Sequence, residues 1–391
     1  MLLLATAVLS CSLPQGLLDL EALLRADERC APIVARAREH RLQVLVSVPV
    51  VGDDGRVTLQ RSHFGDDERY FYPASSIKLC GAVAVLQRLN AHNREHGTAL
   101  GLDSTMIVEP RFDGDRRIQK DASNVVDGVL TVRHALRKML IVSDNAAYNH
   151  CFELCGPDGL NRAMWAAGLT STRLWHRLSE SRTPRENRQT RTVRIDDVAF
   201  VERDAPIELR NDAFADRRFG DGYLAGGRKV DGPMSFDEKN AISLVDLQDL
   251  MVEVVRPEID TGKRGFPGLG VSQRLFLLDA MSQLPRQSRN PRYPDVDEFY
   301  CKRIFQSASR VVPSGHLRTF NKTGRAYGFS IENAYVEDRR GGTGFFLSVV
   351  VYTNPDGILN DDRYGYEEIA DPFLDAVGEV VTRAVSASRS R

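Results

Sequence analysis

The stretch most informative about the fold is Tyr72-Pro73-Ala74-Ser75-Ser76-Ile77-Lys78, where an extended segment is followed by a predicted helix. Proline disfavours helical backbone at the residue before it, and the apolar period that follows predicts a helix from Ser75 to about Asn93. Ser75 then lies in the first turn of this helix, and Lys78 follows three residues later on the same face. The stretch therefore places a hydroxyl group and an amine together at the start of a long helix.

Strand patterns lie towards both ends of the chain, and helical patterns fill the middle. The β-branched run 44–51 is followed by the turn signal Asp53-Asp54-Gly55 and by a return strand from Val57. Further strands are predicted over 317–322, 329–336 and 345–352, ahead of a last amphipathic helix. These hairpins predict an α+β fold, an αβα sandwich with an antiparallel sheet of about five strands. The terminal helices would cover one face of the sheet, and the central helices would form an all-helical subdomain on the other.

Composition is that of an ordinary globular protein. The 391 residues are 42% hydrophobic and 27% charged, with a net charge of −1, so bulk charge predicts no nucleic-acid partner. Residues 14–391 are expected to form a single domain, and we expect a monomer. The Arg- and Asp-rich stretch at about 180–240 is expected to be an insertion with small strands of its own.

The first ten residues, MLLLATAVLS, are almost wholly apolar and too short to span a bilayer. They are typical of the core of a secretory signal, although the basic start is missing. Val8-Leu9-Ser10-Cys11 resembles a lipoprotein cleavage site. We therefore predict that residues 1–13 are a signal segment and that the protein is exported to the periplasm or outside the cell. A lipid anchor at Cys11 is part of this prediction, and a truncated start or a buried helix is the alternative.

A serine and a lysine at this spacing can form a nucleophile and its base. A hydroxyl is a weak nucleophile until a neighbouring base takes its proton. A lysine serves as that base when burial or a second cation brings its pKa towards neutrality. The free N–H groups at the helix start can also face a developing oxyanion. By itself the pattern is weak, because a chain of this length contains about one Ser-x-x-Lys by chance.

Two further segments carry polar groups of the right kind. Ser143-Asp144-Asn145 lies between two predicted helices and can present a hydroxyl and an amide, although all three residue types are also common helix caps. Lys322-Thr323-Gly324 lies on a predicted strand and offers a fixed cation and a close backbone approach. The alternative for this strand is an exposed edge protected by its lysine.

Taken together, the three segments resemble the Ser-x-x-Lys, Ser-Asp-Asn and Lys-Thr-Gly set of class A β-lactamases and penicillin-binding proteins. The resemblance covers residues 42 to 385 apart from the insertion. It implies a serine hydrolase that forms an acyl-enzyme, with a β-lactam as the substrate. A D-alanyl-D-alanine carboxypeptidase or esterase is one alternative, and a non-turnover penicillin-binding sensor is another.

The resemblance also implies a role for each matching residue. Ser75 would attack the carbonyl carbon, Lys78 would take its proton, and Ser143 would relay a proton to the leaving nitrogen. The remaining roles are orientation by Asn145, tuning of Ser143 by Lys322, carboxylate binding by Lys322 and Thr323 beside Gly324, and an oxyanion hole from the backbone N–H groups of Ser75 and Arg325.

One part of the family pattern is missing. Class A enzymes carry a Glu-x-x-Leu-Asn element whose glutamate activates the deacylating water. Here the lead-in Thr172-Arg173-Leu174 is present, but Leu178 stands where the glutamate is expected. Glu180 and Glu186 lie nearby without the Leu-Asn that should follow. Release of the acyl group is therefore expected to be slow unless one of these carboxylates enters the site.

A second motif points to different chemistry. His92-Asn93-Arg94-Glu95-His96 matches the H-x-x-E-H pattern of inverted zinc peptidases. No third ligand can be identified, and polar helix ends rich in histidine are common. We therefore predict no metal site and no cofactor, and the only partner expected is a small-molecule substrate such as a β-lactam or a peptidoglycan-like peptide.

Overall fold

The computed structural model describes residues 18–341 and 343–388. The predicted signal segment and Cys11 lie outside the described residues. Ten α-helices and fourteen strands are described in this part of the chain. The helices are α1 (Leu20–Arg25), α2 (Ala31–Ala35), α3 (Lys78–His96), α4 (Val132–Ile141), α5 (Asn145–Ala166), α6 (Pro184–Asn187), α7 (Leu244–Val255), α8 (Val271–Ser282), α9 (Arg303–Ala308) and α10 (Asp371–Ser388). The strands are β1 (Gln43–Val51), β2 (Val57–Gly65), β3 (Met106–Val108), β4 (Val193–Ile195), β5 (Val198–Phe200), β6 (Arg218–Phe219), β7 (Gly222–Ala225), β8 (Arg228–Asp231), β9 (Met234–Ser235), β10 (Leu317–Asn321), β11 (Gly324–Ala326), β12 (Phe329–Asp338), β13 (Thr343–Tyr352) and β14 (Ile358–Leu359).

A six-stranded antiparallel sheet joins the two ends of the chain. Its strand order is β10-β12-β13-β1-β2, and the short β11 pairs with β12 beyond the end of β10. The predicted hairpin of β1 and β2 is confirmed, with Val51 opposite Val57 across the turn. The expected single strand over 317–322 is interrupted, because β10 ends at Asn321 and β11 begins at Gly324. Lys322 and Thr323 therefore lie at a break in the edge of the sheet.

The sheet separates two hydrophobic cores, as the predicted sandwich requires. One core packs the terminal helices α1, α2 and α10 against alternate residues of β1, β12 and β13. The other packs α3, α4, α5, α7 and α8 against the opposite face. Such alternation follows from the two-residue period of a strand, which sends successive side chains to opposite faces. The predicted α+β class is confirmed.

Helices α3 and α5 form the centre of the helical half. Gly81 of α3 faces Tyr148 of α5, and a Cβ atom at Gly81 would come within 3.2 Å of the tyrosine ring. The two helices can therefore pack closely. Each carries part of the candidate site at its N-terminus, so this contact fixes the distance between those parts.

Residues 180–240 contain α6 and six short strands, β4 to β9. Strand β4 pairs with β3, and β7 pairs in parallel with β14 near the C-terminus. The stretch is thus joined to the rest of the molecule by these two strand pairings and by a bridge between Arg69 and Ala215. That it forms an insertion within one domain over residues 14–391 stays a prediction.

Candidate active site

Ser75 lies in a tight turn of 3₁₀-helix over Ala74–Ile77 that leads directly into α3. The residue before it, Ala74, has a φ of +49°. This left-handed backbone costs a residue with a Cβ atom roughly 1–2 kcal/mol, and strain of this kind persists only where the surroundings enforce it. Here Ala74 is buried in the core while Ser75 is only half-buried and lines a cleft. The strained turn therefore presents the serine at the surface of the cleft.

Lys78 is fully buried and its amine lies between two helix starts. Nζ donates hydrogen bonds to Asn145 Oδ1 at 2.6 Å and to Ser143 Oγ at 3.2 Å, and it also contacts the carbonyl oxygen of Ser143. Burial, with the nearby cation Lys322 as a second cause, lowers the pKa of Lys78 to about 6. The amine is therefore largely neutral at pH 7, as a general base must be.

No hydrogen bond among the described residues joins Lys78 Nζ to the hydroxyl of Ser75. Hydrogen bonds between catalytic groups are often long in a free enzyme and shorten when substrate binds. Transfer of the proton thus requires the two groups to approach each other in the substrate complex.

The three polar residues of the loop between α4 and α5 have two different roles: one caps a helix, and the other two contact Lys78. The side chain of Asp144 caps α5 by accepting a hydrogen bond from the Ala147 N–H at 2.8 Å. Ser143 has a φ of +61°, and its hydroxyl faces the amines. The capping alternative is therefore right for Asp144, while Ser143 and Asn145 contact Lys78.

Lys322 completes a chain of polar groups. It is buried, and its Nζ donates to Ser143 Oγ at 2.8 Å and to the carbonyl oxygen of Thr323 at 2.8 Å. Burial lowers the pKa of Lys322 to about 8. The Ser143 hydroxyl thus lies between two amines, of which Lys322 is the one that keeps its charge at pH 7. A hydroxyl in this place can pass a proton from one side to the other.

Gly324 allows β11 to pack closely against the turn that carries Ser75 at the start of α3. A Cβ atom at this position would lie 2.6 Å from the carbonyl oxygen of Pro73 and 3.0 Å from the backbone nitrogen of Ser75. Any other residue would push the strand away. The close approach brings the backbone of β11, which continues to Arg325, beside the N–H of Ser75.

The Thr323 hydroxyl is bonded to the backbone of β12 in this structure. Its hydroxyl donates to the carbonyl oxygen of Ile331 at 2.9 Å. Binding of a substrate carboxylate by this hydroxyl would require its proton to turn from Ile331 towards the ligand. The chain on either side of Lys322 and Thr323 pairs with β12, up to Asn321 and again from Gly324.

Leu178 is held beside the other site residues by Asn149 of α5. The Asn149 side chain accepts from the Leu178 N–H at 2.8 Å and donates to the Leu178 carbonyl oxygen at 3.0 Å. The next residue, Ser179, accepts a hydrogen bond from Asn145 Nδ2 at 2.7 Å. Leu178 and Ser179 both line the cleft with Ser75. The apolar residue Leu178 therefore occupies the position at which the class A pattern has a glutamate.

The two nearby carboxylates have other partners. Glu180 lines the cleft, but its Oε1 accepts from Arg182 at 2.8 Å and from Arg191 at 2.6 Å. Glu186 accepts from the Thr183 N–H and hydroxyl, both at 2.8 Å, in the capping box of α6. Glu180 Oε2 also accepts from Asn149 Nδ2 at 3.2 Å, so both of its oxygens have protein partners, and Glu186 is held in the helix cap.

A buried ion pair anchors the segment that carries Leu178. Arg177 donates to both oxygens of Glu153, at 2.6 and 3.0 Å, and the side chains are 0% and 1% exposed. Arg177 also donates to the carbonyl oxygens of Glu186 and Gln189, at 3.1 and 2.7 Å. One guanidinium group thus ties helix α5 to two further points of the chain.

We expect Glu153→Gln to lower the free energy of unfolding by about 3–5 kcal/mol, because it leaves the Arg177 charge buried without its partner. Denaturant unfolding followed by circular dichroism measures this change. The matched control is Glu202→Gln, since Glu202 is 55% exposed and lies 4.0 Å from Arg111. Its effect should stay within about 1 kcal/mol. Equal small losses in both variants would show that the buried pair does not anchor the segment.

The cleft has a volume of about 1290 Å³ and aromatic walls that no motif indicated. Tyr72 packs edge-on against Tyr327, with ring centroids 5.0 Å apart, and stacks on His176 at 6.1 Å. Burial lowers the pKa of His176 to about 4, so this ring is neutral at pH 7. Further wall residues come from distant parts of the sequence: Trp175, Lys239, Tyr300, Tyr364 and Tyr366.

The two histidines of the H-x-x-E-H motif contact each other and an aromatic ring. The rings of His92 and His96 lie tilted against each other at a centroid distance of 4.3 Å near the end of α3, and His92 also packs against Phe200. Across residues 18–341 and 343–388, no group of three or more His, Cys, Asp or Glu side chains could hold a metal ion. In the same part of the chain, no helix is both long and apolar enough to cross a bilayer.

Fold and site geometry together are similar to those of β-lactamase-like serine enzymes. A sequence model of the β-lactamase enzyme family matches residues 59–202. This match confirms the resemblance predicted from the three motifs, and it supports a serine β-lactamase-like hydrolase. No curated protein sequence matches the chain significantly.

Solved structures extend the likeness over most of the chain. A β-lactamase from Xanthomonas campestris pv. campestris is 19% identical, with a TM-score of 0.52 over 93% of this chain and 98% of that chain. A variant of the last common ancestor of Gram-negative class A β-lactamases is 18% identical, with a TM-score of 0.52 over 94% and 99%. The protein L2, solved in complex with relebactam, is 16% identical, with a TM-score of 0.50 over 93% and 98%. At these identities the likeness shows the shared fold.

Proposed function

We propose that the protein is a serine hydrolase that opens β-lactam amides by forming an acyl-enzyme at Ser75 and releases the acyl group slowly. The observation that supports this most is the buried amine of Lys78, which has a pKa of about 6 and bonds to Asn145 and Ser143. A neutral lysine next to a half-buried serine suits proton abstraction and nucleophilic attack.

The acylation step follows from the positions of these groups. Ser75 Oγ forms a bond to the carbonyl carbon while its proton passes to Lys78 Nζ. The carbonyl oxygen gains negative charge opposite the N–H groups of Ser75 and Arg325. When the carbon–nitrogen bond breaks, the leaving nitrogen takes the proton of the Ser143 hydroxyl, and Ser143 regains one from the Lys78 ammonium. The charge of Lys322 beside Ser143 favours this transfer and attracts the substrate carboxylate.

The second half of the reaction has no evident base. Hydrolysis of the ester at Ser75 needs an activated water. The Asn145 amide is bonded to the Ser179 hydroxyl, and Leu178 lines the cleft beside it in the chain. Neither an alkyl group nor a neutral hydroxyl is an efficient base at pH 7. A non-turnover penicillin-binding sensor is therefore the second candidate, and Leu178 is the observation that favours it. A D-alanyl-D-alanine carboxypeptidase or esterase would use the same residues on another acyl donor.

Intact-mass spectrometry after addition of benzylpenicillin tests the proposal. We expect a mass increase of one intact penicillin that persists over many minutes, with β-lactam hydrolysis far slower than acylation. Ser75→Ala should show no adduct, because it removes the only proposed point of attachment. Fast steady hydrolysis in a Glu180→Ala, Glu186→Ala double variant would show that a different group activates the water. Absence of both adduct and hydrolysis, where a reference β-lactamase reacts, would contradict the proposal.

The site of action is proposed to be outside the cytoplasm. The apolar start of the chain and the sequence Val8-Leu9-Ser10-Cys11 support export, with Cys11 as a lipid anchor. A small-molecule substrate in the periplasm or beyond the cell is consistent with this location.

A further inference from the structure

Three tyrosines and an arginine line one end of the cleft. This tyrosine–arginine corner consists of Tyr300, Arg325, Tyr364 and Tyr366. The Arg325 guanidinium lies over the Tyr366 ring at 4.7 Å from its centroid, and the Tyr364 and Tyr366 rings are 5.2 Å apart. Tyr300 is 62% exposed. Large aromatic side chains and a cation around an open space are typical of a surface that binds a ligand.

The corner is held rigidly by the backbone around it. The Tyr366 hydroxyl accepts a hydrogen bond from the Gly328 N–H at 2.9 Å, and the Tyr364 hydroxyl accepts one from the Asn360 N–H at 2.8 Å. Because each phenol oxygen acts as an acceptor here, its own O–H remains available to donate. An anion in the corner could therefore receive hydrogen bonds from phenol groups as well as from a guanidinium.

Two guanidinium groups meet a single paired carboxylate behind the corner. Arg325 and Arg303 share a single carboxylate, Asp371 at the start of α10, whose Oδ2 lies 2.8 Å from Arg303 and whose Oδ1 contacts Arg325. Glu332 is the other acid nearby, and burial raises its pKa to about 7, so it offsets the second guanidinium only in part. The Arg325 side chain is 37% exposed towards solvent. Two further carboxylates, Asp361 and Asp362, lie near Tyr364. Asp362 is exposed and Asp361 is partly exposed, so water screens their charges.

From this arrangement we infer that the tyrosine–arginine corner binds a second anionic group of the acyl donor, while Lys322 and Thr323 hold the first. The inference rests on the proposed function, since it specifies the substrate of the same site. The substrate class is a dianionic acyl donor, large enough to reach from Lys322 to Arg325 across a cleft of about 1290 Å³. Arg325 then contributes through its side chain as well as through its backbone N–H.

Benzylpenicillin and carbenicillin form a matched pair of probes, because carbenicillin differs by one added carboxylate on its side chain. The measured quantity is the ratio of their second-order acylation rates at Ser75, followed by intact-mass spectrometry. Any general effect of a substitution on acylation cancels in this ratio. We expect the wild-type ratio to favour carbenicillin by about fivefold or more, the range of one charge-assisted hydrogen bond at a partly exposed site.

Two variants should move the ratio in opposite directions. Arg325→Gln removes the charge and should bring the ratio close to one, whereas Asp371→Asn leaves both arginines without their shared carboxylate and should raise it. A ratio that stays the same in both variants while both compounds acylate Ser75 overturns the inference alone. If neither compound forms an adduct with the wild-type protein, the proposed function fails and the inference fails with it. Thermal unfolding of each variant shows whether it is folded. If one variant is misfolded, the ratio measured with the other variant decides whether the corner binds the second anionic group.

Discussion

Leu178→Glu is expected to shorten the lifetime of the penicillin adduct on Ser75 by about 10²–10⁴-fold, the usual contribution of a positioned general base. The substitution introduces a carboxylate at the position that the family pattern reserves for one. Asn149 already holds the backbone of residue 178 through both of its polar groups, so the new side chain should enter the cleft without a change of the main chain. The adjacent Asn145 amide provides a second polar group to orient a water.

The measurement is the decay of the adduct by intact-mass spectrometry, together with steady-state hydrolysis of a chromogenic β-lactam. Leu178→Gln is the matched control, because it has the size of glutamate and cannot accept a proton at pH 7. Acylation rates should change little in either variant. If the glutamate and glutamine variants keep adducts of equal lifetime, the missing carboxylate is not what limits deacylation.

Much of the fold could be predicted because its signals are local. The turn Asp53-Asp54-Gly55 and the β-branched strands each determine their own element, and the structure has both. The break after Asn321 has no signal in the sequence, since Lys322 continues the strand pattern. The break coincides with a tertiary contact, in which Gly324 packs against the turn that carries Ser75.

The candidate site was predictable only where short motifs mark it. Ser75, Lys78, Ser143, Asn145 and Lys322 lie in three motifs, and the structure places their side chains around one end of α3. The residues that form the walls of the cleft lie in no recognisable sequence motif. Tyr327, Tyr364 and Tyr366 are ordinary aromatic residues in the sequence, and they meet only because β12 and the chain after β14 pack together. Their contribution depends on side-chain contacts between residues far apart in the chain.

The remaining carboxylates illustrate the same limit. From sequence, Glu180 and Glu186 were candidates to activate water because they follow Leu178 closely. Proximity in sequence does not identify side-chain partners. In the structure Arg182 and Arg191 bind Glu180, and Glu186 completes the capping box of α6. Those partners are fixed by the three-dimensional arrangement of an Arg-rich segment. The structure thus makes slow release of the acyl group a sharper prediction than the sequence could.

Lys78→Met is expected to lower the rate of acylation by about 10²–10⁴-fold, because it removes the base and keeps a side chain of similar length. In the wild-type protein the rate should rise with pH through about 6, as the Lys78 ammonium loses its proton and becomes able to accept one from Ser75. It should fall again above about 8, as Lys322 loses the charge that attracts the substrate carboxylate. The methionine variant should lack the rising limb and retain the fall.

Lys302→Met provides the matched control for this assignment. Lys302 is also a fully buried lysine, and burial lowers its pKa to about 7, but it bonds to Asn321 at 2.9 Å and to the carbonyl oxygen of Met281 instead of the serine loop. The profile of this variant should keep its rise near pH 6. A rise that survives in Lys78→Met and disappears in Lys302→Met would mean that the neutral amine used by Ser75 is not the one at position 78.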